Sequence, residues 1–247
     1  MTPLIVFAYD FPHKKTYEGL LWLHVHRVKI AAVIAAPRVE LRIRESAIRV
    51  APSGLTFPHP REVATRIGVP YYVAAHNSPE CLRLLKKHEP RVGVVLGARI
   101  LSQEVIDCFS LGVLNMHPGL IPENRGLDNV KWAILNGIDQ GVTTHLIAGG
   151  KDVDLGRLIE RRVVPVLPDD TLVDICLRLQ NAELQMMVEA IERIAAGSGR
   201  GTFPPFTNRG VYRSAVPPDL EERLMEQFRE YRDGWRTSSR APVAEDW

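Results

Sequence analysis

Cysteine is scarce in this sequence, and its few positions exclude a disulfide scaffold. Three cysteines occur in 247 residues, far apart at Cys81, Cys108 and Cys176. Disulfide frameworks and zinc sites need cysteines that are paired or closely spaced. We therefore predict buried, reduced thiols in a cytoplasmic protein.

Long apolar runs and an excess of one charge are also lacking. No stretch approaches the roughly 18 apolar residues of a membrane-spanning helix, and the start, MTPLIVFAYDF, has no basic segment of the kind that begins a signal peptide. Lys and Arg number 31 against 29 Asp and Glu, a formal charge of +2. Proteins that bind nucleic acid usually carry a larger, clustered basic excess. These absences argue against a membrane and against a nucleic-acid partner.

The turn after the first apolar run lacks the glycines of a dinucleotide-binding fold. FAYDFPHKKTYEG has no glycine before Gly19, whereas a dinucleotide cradle needs glycines where the backbone approaches the pyrophosphate. Tyr9, Asp10 and Lys14 occupy this turn instead. At the carboxyl edge of a parallel sheet they would line a substrate site; the alternative is a solvated, charged turn.

Short apolar runs alternate with helical patterns through the first half of the chain. Strands are predicted at 4–8, 30–35, 70–73, 92–96 and 112–114, and helices at 16–27, 60–67, after Ser78 and from Ser102 to 109. This alternation predicts an α/β fold: a Rossmann-like, doubly wound, mostly parallel sheet.

The second half of the chain has a different pattern. Strands are predicted at 141–147 and 158–166, followed by a helix at 170–195 that is capped by Asp169 or Asp170. A charged helix follows at 218–232. We expect residues 1–197 to form a catalytic domain, and residues 198–247 a short helical extension that packs on it or forms a homodimer contact.

The strongest chemical signal is Asn115-Met116-His117-Pro118, directly after an apolar strand. Residues two apart on a strand project to the same side, so an amide and an imidazole would lie side by side as donors to a developing oxyanion. The alternative is that Asn115 caps the strand and His117 satisfies a turn.

Further polar residues favour the catalytic interpretation. His145 lies in the predicted strand GVTTHLI, and Asp152 and Asp154 follow in the next loop. A nearby aspartate can orient an imidazole or relay its proton. Two histidines and two aspartates could also bind a divalent ion, but their spacing matches no recognised ligand pattern, so we predict no metal.

Residues 92–166 carry a resemblance to a known family. VGVVLGARILSQEVIDCFSLGVLNMHPGLI, with the continuation PENRGLDNVKWAILNG, GVTTHLI and DVDLGRLIERRVVPV, resembles the folate-dependent formyltransferases. This group acts on glycinamide ribonucleotide, methionyl-tRNA or sugar nucleotides, and includes 10-formyltetrahydrofolate deformylase. The resemblance implies a Rossmann-like sheet and 10-formyltetrahydrofolate as cofactor.

The resemblance also implies roles for individual residues. Asn115 and His117 match the catalytic N-x-H, and His145 matches a histidine of the preceding strand. Counted back from the V-P-V segment, the catalytic aspartate is Asp154; counted from His145 it is Asp152, because the loop is two residues longer than the family pattern. Asp154 is preferred. The predicted cofactor-binding residues are Arg99, Ile100, Leu101 and Ala148.

Several features of the subfamilies are missing from this sequence, and their absence narrows the choice of acceptor. The missing phosphate loop argues against glycinamide ribonucleotide, the short and charge-balanced tail against tRNA, and the immediate start of the first strand against a deformylase. We expect a small-molecule amine, with a nucleotide-linked amino sugar as first choice. The alternatives are a 10-formyltetrahydrofolate hydrolase, a methionyl-tRNA formyltransferase-like enzyme and a catalytically weak folate- or partner-binding module.

Overall fold

The central element is a seven-stranded sheet in a computed structural model that describes residues 4–40, 46–150, 152–197 and 200–236. Its strands are β1 (Leu4–Tyr9), β2 (Ile30–Ala36), β3 (Tyr71–Val73), β4 (Val92–Val95), β5 (Gly112–His117), β7 (Gly141–Ile147) and β8 (Gly156–Val163). Their order is β3-β2-β1-β4-β5-β7-β8. The first five are parallel, and β7 and β8 are antiparallel to their neighbours. The predicted mostly parallel α/β sheet is confirmed.

Helices cover both faces of this sheet. They are α1 (Lys14–Val25), α2 (Pro60–Arg66), α3 (Pro79–His88), α4 (Gln103–Asp107), α5 (Asn129–Leu135), α6 (Leu172–Ala196) and α7 (Pro218–Arg236). Because side chains alternate along a strand, Leu4 and Val6 of β1 pack with α1, α2 and α6, while Ile5 and Phe7 pack with α3 and α4. This two-sided burial explains why the strands are continuous apolar runs.

Two of the predicted helix caps are confirmed and one is wrong. The Ser78 and Ser102 hydroxyls accept backbone N–H bonds at the starts of α3 and α4, as predicted. Helix α6 is capped by Thr171 in a capping box with Asp174, so the prediction of Asp169 or Asp170 was wrong. Asp170 is instead buried and binds the backbone N–H of Leu167 and the side chain of Arg178, which leaves its carboxylate unavailable as a cap.

The cysteines are free thiols, but only one is buried. Cys81 is enclosed in the core, and burial raises its pKa to about 12. Cys108 and Cys176 are half-buried, so the expectation of three buried thiols holds for one. Within the described ranges, no helix has both the length and the apolar character needed to cross a membrane.

Helix α5 and a small two-stranded ladder were not predicted from the sequence. Strand β6 (Arg125–Gly126) pairs in parallel with β9 (Tyr212–Arg213), so the C-terminal part of the chain returns to the loop after β5. Helix α7 then buries Leu224 and Phe228 against α5 and α6. This packing covers the apolar face of α7 within one chain. The division at residue 197 and the homodimer stay predictions.

A buried ion pair fixes α7 to α5. The side chain of Lys131 is 1% exposed and that of Glu221 is 4% exposed. The two are in contact, and the Ser46 hydroxyl and the Ala47 N–H also bind the carboxylate. Removing one partner of such a pair leaves the other charge buried and uncompensated.

We therefore expect Glu221→Ala to lower the free energy of unfolding by about 3–5 kcal/mol, measured by chemical denaturation. The control is Glu80→Ala, which removes a carboxylate from the exposed Arg83–Glu80 pair and is expected to leave the midpoint unchanged. A Glu221→Ala protein as stable as the wild type would contradict the role of this pair.

The same pair gives the stability a pH dependence. Burial alone would raise the pKa of Glu221, but hydrogen bonds from Lys131, Ser46 and Ala47 outweigh it and hold the pKa below its usual value of 4.5. A carboxylate with a lowered pKa stabilises the fold above its unfolded pKa, and this stabilisation disappears as the pH falls through the folded value. The stability difference between wild type and Glu221→Ala should therefore shrink on acidification below pH 4.5.

Candidate active site

A cavity of about 310 Å³ opens at the carboxyl ends of β4 and β5 and the end of β7. This volume lies within the range of pockets that bind small molecules, roughly 300–1,000 Å³. Six residues predicted for the site line this one cavity: Arg99, Ile100, Leu101, Asn115, Ala148 and Asp154. The structure thus brings together residues from three separate parts of the chain, as expected where parallel strands end at one edge.

Asn115 is oriented by its neighbour across the sheet. Residues Asn115 and His145 are opposite each other in the β5–β7 ladder, with 3.2 Å between Asn115 Nδ2 and His145 Nε2. Burial, reinforced by the charge of His117, lowers the pKa of His145 to about 3. His145 is therefore neutral near pH 7, and its Nε2 can accept one amide N–H. The second N–H and the oxygen of Asn115 remain for a ligand in the cavity.

His117 is buried and is not among the residues that line the cavity. It is 4% exposed, and its Nε2 is 2.9 Å from the carbonyl oxygen of Asn124 and 3.1 Å from Asn129 Nδ2. Since a carbonyl only accepts, Nε2 carries a proton in this contact. The other nitrogen, Nδ1, is 3.5 Å from Asp154 Oδ1. Both ring nitrogens of His117 therefore face protein groups.

Asp154 connects His117 to the cavity. Its backbone has φ = +56°, in the left-handed region that aspartate tolerates better than most residues. One carboxylate oxygen faces His117, and the other accepts the N–H of Gly126 at 3.0 Å. Asp152 differs: its side chain is 43% exposed and pairs with Arg209. The geometry therefore favours Asp154 over Asp152 as the functional carboxylate.

The predicted substrate residues of the first turn have partners inside the protein. The Tyr9 hydroxyl donates to the carbonyl of Ala98 at 2.9 Å. Asp10 accepts from the Tyr71 hydroxyl at 2.8 Å, and Lys14 pairs with Glu18 at 2.6 Å. None of the three is among the residues that line the cavity. A substrate role for them stays a prediction.

Lys15, beside this turn, contacts the site more directly. Its ammonium donates to the backbone carbonyl of Met116 at 2.9 Å and to the Glu183 carboxylate at 2.7 Å. Glu183 is buried on α6. Since Met116 stands between Asn115 and His117, Lys15 supports the strand end that carries both side chains.

Several site residues were missed by sequence reasoning. Asn124 and Asn129 hold His117 and bind each other's carbonyl groups, and Leu127 and Tyr212 line the cavity. The motif PENRG, whose glycine directly precedes the apolar Leu127, could have indicated a tight loop at these positions. No local pattern marks Tyr212, which reaches the site only through the β6–β9 ladder.

The described part of the chain holds no group of three or more His, Cys, Asp or Glu side chains arranged for a metal ion. The polar groups of the site instead bond to one another and to the backbone. These residues comprise an amide, which can donate hydrogen bonds, and a carboxylate beside an imidazole, a pair that can accept and donate protons.

The sequence of this chain matches that of known proteins. A family model described as formyl transferase matches residues 17–191. A curated relative from Chlorobium chlorochromatii (strain CaD3), a methionyl-tRNA formyltransferase, is 33% identical over 138 residues. The match covers 55% of this chain and 43% of the relative. The chain therefore spans less than half the length of that protein.

Solved structures share the fold. A sugar N-formyltransferase from Shewanella sp FDAARGOS_354 superposes with a TM-score of 0.60 at 15% identity, over 91% of this chain and 87% of that one. A formyltetrahydrofolate deformylase from Pseudomonas syringae pv. tomato str. DC3000 gives 0.59 at 19% identity, over 79% and 62%. At these identities the likeness establishes the fold alone.

Proposed function

Because this chain belongs to the formyl transferase family, we propose that it transfers a formyl group from 10-formyltetrahydrofolate to the amine of an acceptor. One observation carries the proposal. Asn115 and Asp154, assigned to catalysis, line the same cavity as Arg99, Ile100, Leu101 and Ala148, assigned to the donor. The residues assigned to catalysis and those assigned to the donor thus line one cavity, although they lie in separate parts of the chain.

The cavity has the chemistry that this donor requires. Its walls include apolar side chains from Val95, Leu127 and Ile147, with an amide, a carboxylate and the guanidinium of Arg99 as the polar groups. Flat heteroaromatic ligands bind in such mostly apolar sites with few, well-placed polar contacts. Arg99 is exposed and is positioned to attract the carboxylate end of a folate.

When bound, 10-formyltetrahydrofolate supplies a formyl carbonyl and the nitrogen that leaves it. Addition of the acceptor amine to that carbonyl would place negative charge on the formyl oxygen, and re-formation of the carbonyl would then break the bond to the leaving nitrogen. The Asn115 amide, fixed by His145 at 3.2 Å, donates a hydrogen bond to that oxygen. Such preorganised donors are effective because they need no reorientation during the reaction.

One proton must also pass from the acceptor nitrogen to the leaving nitrogen. Asp154 lines the cavity and contacts His117 on its other side, so its carboxylate is the group placed to carry that proton. His117, buried against Asn124 and Asn129, acts through Asp154. Direct donation by His117 to the oxyanion, the sequence-based expectation, stays the alternative.

The acceptor has two candidates. A nucleotide-linked amino sugar remains the first, on the small-molecule expectation from the sequence. Methionyl-tRNA is the second, and the name of the Chlorobium relative favours it. The cytoplasmic location stays a prediction.

The deciding experiment incubates the protein with 10-formyltetrahydrofolate and follows the release of tetrahydrofolate. The reactions contain no amine, a panel of nucleotide-linked amino sugars, or methionyl-tRNA. Release that requires one amine identifies the acceptor, and release without any amine identifies a hydrolase. A protein that binds the folate but never releases the formyl group would be the catalytically weak module.

Lys15 offers a further prediction about turnover. Lys15→Met removes the contact to the Met116 carbonyl and leaves Glu183 buried without its cation. Because small displacements of catalytic groups are costly, we expect kcat to fall about tenfold or more, while the donor Kd stays within about twofold. Lys15→Arg should restore part of the loss.

Lys29→Met is the control, since Lys29 is an exposed lysine just beyond α1. Turnover is measured per folded protein, well below the thermal midpoint of each variant. A folded Lys15→Met protein with wild-type kcat would contradict the positioning role.

A further inference from the structure

We propose that Tyr212 binds the folate donor, and that residues 203–214, the C-terminal segment, hold Tyr212 at the cavity. This inference rests on the proposed function, because it concerns the same donor. The C-terminal segment lies beyond residues 17–191, which match the family model. Tyr212 nevertheless lines the cavity together with Asn115 and Asp154.

The C-terminal segment contacts the site at several points. The Phe206 ring packs against His145, the residue that orients Asn115, with 6.0 Å between centroids. Arg209 pairs with Asp152, in the loop that carries Asp154. These contacts place the segment against His145, which orients Asn115, and against Asp152, two residues before Asp154.

The ladder between β6 and β9 brings the segment closest to Asp154. Gly126 of β6 donates its N–H to Asp154 and pairs with Arg213 of β9. A Cβ on Gly126 would overlap the carbonyl oxygen of Arg213, and one on Gly210 would overlap that of Pro122. Both glycines also have positive φ. The close approach therefore depends on glycine at Gly126 in β6 and at Gly210 just before β9.

The ring of Tyr212 is supported on one side and open on another. The guanidinium of Arg125 lies 5.8 Å from the ring centroid, within the range of a cation–π contact. Arg125 is itself buried and donates to the backbone carbonyl of Arg209. Tyr212 remains 48% exposed. An aromatic ring at a cavity wall, supported on one side and partly exposed on another, is suited to contact an aromatic ring of the ligand.

The cavity's other walls indicate which ligand the ring contacts. Tyr212 shares the cavity with Arg99, Leu101 and Ala148, the residues assigned to the donor. The donor contains a pterin and a benzoyl ring, so it offers flat partners for an aromatic side chain. We therefore assign the Tyr212 ring to the donor and not to the acceptor.

The test measures the Kd of 5-formyltetrahydrofolate, a folate that cannot complete the transfer, by calorimetry. We expect Tyr212→Leu, which keeps apolar bulk but loses the ring, to bind about three- to tenfold more weakly. Tyr212→Phe should bind within about twofold of wild type, because the ring remains. The control is Val211→Ala, at the adjacent exposed position of the same segment, with thermal midpoints recorded for all variants.

The other outcomes overturn the proposal in distinguishable ways. Equal weakening in Tyr212→Leu and Val211→Ala would mean that loosening of the segment, not loss of the ring, is responsible. An unchanged folate Kd with a raised acceptor KM would assign Tyr212 to the acceptor. A wild-type protein that binds no folate would remove the donor assignment itself, whereas wild-type binding that Tyr212→Leu leaves unchanged would remove only this inference.

Discussion

Replacing Asp154 by asparagine is expected to lower kcat by about 10²- to 10⁴-fold, the usual contribution of a positioned acid–base group. The substitution keeps the shape of the side chain, and its amide oxygen can still accept the Gly126 N–H that the carboxylate accepts at 3.0 Å. What it removes is the basic oxygen 3.5 Å from His117 Nδ1. Steady-state kinetics with the identified acceptor, together with thermal midpoints, measure the effect.

Asp152→Asn is the comparison that makes this result specific. Asp152 is 43% exposed and pairs with Arg209 on the surface, so the same change there should cost less than about tenfold. Equal losses in the two variants would show that the loop acts as a unit. A larger loss at Asp152 would transfer the catalytic assignment to that residue.

The two aspartates also show what the sequence could not decide. Counting from two different landmarks assigned the catalytic role to different residues, because the loop between them is longer than the family pattern. The structure separates them by conformation: Asp154 has φ = +56° and lies against His117, whereas Asp152 pairs with Arg209. The number of residues between two landmarks in the sequence does not show which way the backbone turns at each aspartate.

Other parts of the fold were predictable for a plain physical reason. Strands buried on both faces are continuous apolar runs, so β4 and β5 were visible in the sequence, and the polar residues that follow them identified the site. The resemblance to formyltransferases, read from the same segments, is confirmed by the family match over residues 17–191.

The missed features are those that depend on contacts distant in the chain. Strands β6 and β9 have two residues each and pair across more than 80 positions, so neither has a periodic pattern. Helix α7 was predicted from its own sequence, but its anchoring by Lys131 and Glu221 was not. A charged side chain in a helix with similar numbers of acidic and basic residues is normally solvated. Only the tertiary structure shows that Glu221 is buried against Lys131.

Asn115→Asp is the second variant with a large expected effect. It replaces the amide with a group of the same size that carries negative charge and cannot donate when ionised. A negative charge at this position opposes the charge that develops on the formyl oxygen, so we expect kcat to fall by about 10²- to 10³-fold or more. Asn136→Asp makes the same change at an exposed position at the end of α5 and should leave kcat unchanged.

The pattern of the loss distinguishes this role from simple ligand binding. If Asn115 acts mainly on the developing charge, kcat and kcat/KM fall together, while the Kd of 5-formyltetrahydrofolate stays within about threefold of wild type. A raised Kd with an unchanged kcat would instead make Asn115 a binding residue. The wild-type amide should act equally across the neutral pH range, because the pKa of its partner His145 is lowered to about 3 and their hydrogen bond does not titrate there.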